Sequence, residues 1–171
     1  MQNRERGIPF LSMKAFLAPL LPLLVLATSL QAWDLQNERF TQPSPELGPA
    51  EVVEIQLAAL QANDQPVPGT GIAQTWIFAH PGNKRVTGPL PRFARMMETP
   101  AYRLLLNHRS HTIRPVEEPT DGQANFRVRV VRPNGDAWEY AWRVERVEGG
   151  ALDGCWMTTA VSSPRPGESS I

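Results

Sequence analysis

NFRVRVVRPNGDAWEYAWRVERV, residues 125–147, decides the fold. Phe126, Val128 and Val130 alternate with Arg127 and Arg129, the period of a half-buried strand. Pro133-Asn134-Gly135-Asp136 comes next, and Asn-Gly is the dipeptide that accepts the positive φ of a tight hairpin turn. From Ala137 the alternation resumes to Val147. Trp138, Tyr140, Trp142 and Val144 lie on one face, with Glu139, Arg143 and Glu145 on the other. Two strands over 125–132 and 137–147 are thus expected to pair antiparallel. Their apolar faces need a cover, and their charged faces are expected to meet water.

Working outward, His111–Glu117 reads as a preceding strand, kept to an edge by Pro115. Cys155–Val161 reads as a fourth strand after the Gly149-Gly150 loop. Upstream the period changes. Gly48 and Pro49 open a helix with Glu51 in its first turn. Val52, Val53, Ile55, Leu57, Ala59 and Leu60 give it an apolar face, and Asn63-Asp64 ends it. A second helix is expected at Ile72–Ala79, stopped by Pro81, and a third at Leu90–Met97. Thr99-Pro100 has the form of a cap and first position for a fourth at Ala101–Asn107. Helices and then about four antiparallel strands make an α+β domain over residues 49–161. Residues 33–48 read as a polar, Pro-punctuated linker, and 162–171 as a flexible Ser/Pro/Gly tail.

The first 32 residues have the order of a secretory signal peptide. Arg4, Arg6 and Lys14 precede the apolar run Ala15–Ala27, and small and polar residues continue to Ala32. Met13 is an alternative start. The run is shorter than the roughly 20 residues of a membrane span, and it contains Pro19 and Pro22. Export to a periplasm or an organelle lumen such as the thylakoid is the expectation, with membrane attachment only if the signal stays uncleaved.

Composition excludes several functions. The 171 residues carry 17 basic and 17 acidic side chains, so there is no electrostatic footprint for nucleic acid. A single cysteine, Cys155, makes neither an internal disulfide nor a cysteine-based zinc site; it reads as a small buried hydrophobe. Hydrophobic residues at 42% exceed what a disordered chain contains.

The stretch Trp76-Ile77-Phe78-Ala79-His80-Pro81-Gly82-Asn83-Lys84, then Thr87-Gly88-Pro89-Leu90, Arg92-Phe93, Met96-Met97, Pro100-Ala101-Tyr102 and Gly154-Cys155-Trp156-Met157-Thr158-Thr159, resembles the domain of unknown function 4864 family. Its members are exported or lumenal. The resemblance spans about Glu51–Val161, with His80 where the family usually has serine. It implies a nuclear transport factor 2-like, cystatin-like cone: a curved sheet wrapped round a long first helix. It implies no activity.

Three constellations bear on function. His80-Pro81-Gly82-Asn83-Lys84-Arg85 offers backbone N–H groups and two cations to an anion, or is a turn between helices. The stripe Trp138, Tyr140, Trp142, with Phe126 and Trp76, lines a ligand pocket or fills a core. His108 and His111 have helical metal-ligand spacing, but they stand at an expected helix end with no cysteine nearby, so no metal or other cofactor is implied. Asp64, Asp121, Asp136 and Asp153 fall in turns, and no nucleophile elbow is present. The reading is a non-enzymatic domain that binds an apolar small molecule or a protein. The alternatives are an enzyme of the same fold using Tyr140 with His80 or Asn83, and a module that forms a homodimer through its charged sheet face.

Overall fold

A computed structural model describes residues 40–167. The expected signal segment, residues 33–39 of the linker and 168–171 of the tail lie outside the described residues. Four helices pack against a curved, unclosed antiparallel sheet, as the α+β reading expects.

Helix α1 is Pro49–Gln61. Pro49 takes the first helical position, where its missing N–H is not needed, and the Glu51 carboxylate accepts from the Gly48 N–H at 3.4 Å. Val52, Val53, Gln56, Leu57 and Leu60 are buried, and Ile55 and Ala59 only partly. At its end the Asn63 carboxamide oxygen accepts from the Ile72 N–H at 3.0 Å, and the Asn63 carbonyl accepts from Gly71 at 3.1 Å. These bonds draw α2, Thr70–Ile77, against α1.

Helix α2 stops two residues short of the expected Ala79. Phe78–His80 turns out to pair with the last long strand: Thr158 donates to the Phe78 carbonyl and His80 donates to the Thr158 carbonyl, both at 2.9 Å. The segment after it is a helix, α3, Pro81–Thr87, and not a turn. Its Pro-Gly start looks like a breaker, but Pro81 sits where proline favours a helix. The His80 imidazole caps it, accepting from the Gly82 N–H at 3.0 Å. Helix α4 is Leu90–Met97, as expected, and buries Phe93 and Met97.

The fourth expected helix does not form; residues Arg103–Leu105 make one 3₁₀ turn. The Thr99 hydroxyl donates back to the Met96 carbonyl at 2.7 Å, so it does not cap the next segment. The Thr99 carbonyl instead accepts from Tyr102 and Arg103, which closes the chain too tightly for a continuing α-helix.

The sheet is a meander of β1 Ser110–Pro115, β2 Gln123–Val131, β3 Ala137–Arg146 and β4 Trp156–Val161, in that order. Pro115 ends β1, which is an edge strand as expected. Gly135 turns the β2–β3 hairpin with φ of 92°, and Phe126 faces Trp142 and Val128 faces Tyr140 across it. Pairing continues past Val161, because β5, Arg165–Pro166, lies against Trp138 and Glu139. The register of β3 and β4 shifts between Arg143 and Val144, a bulge that bends the sheet.

Phe126, Val128, Val130, Tyr140, Trp142 and Val144 are buried with Val52, Val53, Leu57 and Leu60 of α1 in one core. Trp138 is only partly buried. The opposite sheet face carries Arg127 and Arg143 exposed and Arg129, Glu139 and Glu145 half-exposed, as the alternation anticipates. Cys155 is buried beside Val147 and Met157. Burial and, secondarily, the nearby Asp153 charge push its thiol pKa up, away from the reactive thiolate. Among the described residues no helix is long and apolar enough to cross a membrane.

Candidate functional site

Between the helices and the inner sheet face lies a cavity of about 170 Å³. Phe93, Met96 and Met97 of α4, Leu105 and Tyr102 of the 3₁₀ segment, and Trp142 and Val161 of the sheet supply its apolar walls. Gln56, Thr75, Asn83, Thr87 and Thr158 supply its polar atoms. The volume lies below the roughly 300–1,000 Å³ of drug-sized pockets. It is comparable to the engineered cavity of about 150 Å³ that admits benzene.

Gln56, on the buried stripe of α1 and 1% exposed, organises the floor. Its amide nitrogen donates to the Thr75 carbonyl at 3.0 Å, which fixes which end of the carboxamide is which. Its oxygen then accepts from the Thr158 hydroxyl at 2.6 Å. The Thr158 hydroxyl in turn accepts from the Trp142 indole N–H at 3.0 Å. One chain of bonds therefore ties α1, α2, β3 and β4 together beneath the cavity. At the rim Asn83 donates to the Thr158 carbonyl at 3.3 Å, and Tyr102 donates to the Val161 carbonyl at 3.2 Å.

Of the residues singled out from the sequence, Asn83 and Trp142 reach this cavity. Phe126 is core. The Tyr140 hydroxyl donates to the Ala101 carbonyl at 3.1 Å, and burial holds its pKa well above the ordinary phenol value. His80 caps α3. Lys84 donates to the Ile77 carbonyl at 3.0 Å and lies 4.5 Å over the Trp76 ring. It therefore closes the end of α2, and burial lowers its pKa. Arg85 is exposed on α3. The 80–85 segment is thus an N-capped helix whose lysine is internally engaged, and Tyr140, His80 and Asn83 do not converge on one point. Sequence reasoning misses Gln56, Thr75 and Thr158. A glutamine four residues from both Val52 and Leu60, on an otherwise apolar stripe, is the signal that marks such a floor.

A second polar cluster stands behind Leu105. His108, 2% exposed, places Nδ1 2.7 Å from the Leu105 carbonyl and Nε2 2.7 Å from His111 Nδ1. His111 Nε2 is 3.2 Å from both Glu54 oxygens. The carbonyl can only accept, so His108 carries its proton on Nδ1 and accepts at Nε2 from His111. The two imidazoles are bonded to each other, and among the described residues no group of three or more His, Cys, Asp or Glu could hold a metal.

His108 has its pKa lowered, chiefly by burial and further by the His111 and Arg132 charges; the Leu105 bond and Glu54 act oppositely. A base depressed in the folded state contributes stability above its unfolded pKa, about 6.5, and loses it as pH falls further. Protonation would set an N–H on Nε2 against that of His111. Stability is expected to fall by up to about 1.4 kcal/mol per pH unit below about 6.5 from this group. His108→Gln should flatten that part of the profile. Denaturant midpoints between pH 7.5 and 5 check this, and identical slopes in the two proteins would refute it.

Comparison with protein-family models, curated proteins and solved structures gives no match for this chain.

Proposed function

We propose that the protein is a non-catalytic binding domain that holds a small, mainly apolar molecule between its helices and the inner face of its sheet. The observation that carries this reading is the cavity of about 170 Å³ with aromatic and methionine walls and a fixed polar floor. A filled core would leave no such space. Its lining includes no carboxylate, imidazole, lysine or cysteine, and its tyrosine and threonine hydroxyls each donate to an oxygen of the protein with no base beside them to activate them. Export and a nuclear transport factor 2-like ancestry belong to the same proposal. They rest on the N-terminal sequence and on the motif resemblance.

The test uses fluorobenzene observed by fluorine NMR. Wild-type protein should broaden and shift its resonance in a saturable way. Ala79→Leu, at a 2% exposed lining position, and Thr87→Phe at the rim should each weaken that effect at least tenfold. An unaltered resonance with wild-type protein would overturn the proposal.

A further inference from the structure

The polar atoms of the cavity are unbalanced. Four lining residues carry hydroxyls, and every hydroxyl hydrogen is directed to an oxygen of the protein. Thr75 donates to the Gly71 carbonyl at 2.8 Å. Thr87 donates to the Asn83 carbonyl at 3.0 Å. Tyr102 donates to Val161 at 3.2 Å, and Thr158 to the Gln56 carboxamide at 2.6 Å. The one indole N–H in the lining goes to Thr158. Both carboxamides have one hydrogen engaged, on Thr75 and on the Thr158 carbonyl.

A second N–H remains on each carboxamide, and the acceptors left over outnumber these donors. The Asn83 side-chain oxygen receives no hydrogen bond from the described residues. The Tyr102 and Thr87 oxygens only donate, so their lone pairs remain. An apolar ligand would take water from these atoms and return nothing, at a cost typical of unpaired buried polar groups. A charged ligand would find no counter-ion, because the lining has no acid or basic side chain.

Resting on the binding function proposed above, we infer that the ligand is an uncharged ring compound bearing one hydrogen-bond donor, a hydroxyl or ring N–H, which it places against Asn83 and Tyr102. Phe93, Tyr102 and Trp142 offer its ring edges and faces. Met96 and Met97 adapt to its outline. The donor makes the amphipathic end of the ligand, and the volume holds it to about the size of one small ring system.

Four probes of similar size separate the alternatives: phenol, toluene, benzoate and benzylammonium, each titrated into the full chain at pH 7 by competition with fluorobenzene. Phenol should bind at least fivefold more tightly than toluene. Both ions should bind more weakly than toluene. Asn83→Ala and Tyr102→Phe should each narrow the phenol–toluene ratio by at least half. Toluene equal to phenol, or benzoate the tightest of the four, overturns the donor assignment while the cavity stands as a binding site. If no probe binds and fluorobenzene is also unaffected, the binding function itself fails.

Discussion

Gly71→Ala is expected to destabilise the domain by about 3 kcal/mol or more, a cost in the range of severe core overpacking. A Cβ built on Gly71 would stand 2.0 Å from the Ala59 carbonyl oxygen, 2.7 Å from its carbon and 2.8 Å from the Asn63 Cα. All three are backbone atoms of the α1 end, so no side chain can swing aside. Relief requires α1 and α2 to separate. That strains the Gly71–Asn63 and Ile72–Asn63 bonds, and α1 supplies much of the core. Gly122→Ala is the matched control, since nothing lies within 4 Å of its Cβ position. It should change stability by less than about 1 kcal/mol. Urea denaturation of the two variants reads the difference. Equal midpoints would show that α1 and α2 are not held at this distance.

Thr158→Val is the second large effect, expected at about 2–4 kcal/mol from the loss of one hydroxyl that serves two buried partners. Valine keeps the shape. The Trp142 N–H loses its acceptor and the Gln56 oxygen loses its donor, and each unpaired buried group costs roughly 1–3 kcal/mol. Gln56→Met in the same background removes one of the two stranded groups. The double variant should therefore be less destabilised than the two single effects added together, a coupling of about 1 kcal/mol or more. Strict additivity of the denaturation free energies would show that the Gln56–Thr158 bond contributes nothing.

The sheet was legible because period-2 alternation from Phe126 to Val144 and the Asn134-Gly135 turn are local signals. The same holds for α1, whose apolar spacing and proline start agree, and for α4, whose apolar spacing is local. The features that escaped the sequence depend on distant partners. Phe78–Ala79 has helical composition, but bonds to Thr158 win it for the sheet. Pro81-Gly82 reads as a stop until His80 is seen to cap the amide of Gly82. Thr99-Pro100 has the form of a cap, yet the threonine hydroxyl turns back to Met96. The cavity was half legible: its aromatic wall at Trp142 is set by the strand pattern. Its floor needs Gln56, Thr75 and Thr158, which lie far apart in sequence and meet only through packing.

The Gln56–Thr158 bond joins residues 102 positions apart, linking the first described helix to the last long strand. A chain growing on the ribosome therefore holds α1 without its final partner until β4 has been made. Helices α1 to α4 and the β1–β3 meander cannot close the floor by themselves. The domain can therefore reach its native state only once β4 has been made, and until then the nascent polypeptide stays open to chaperones.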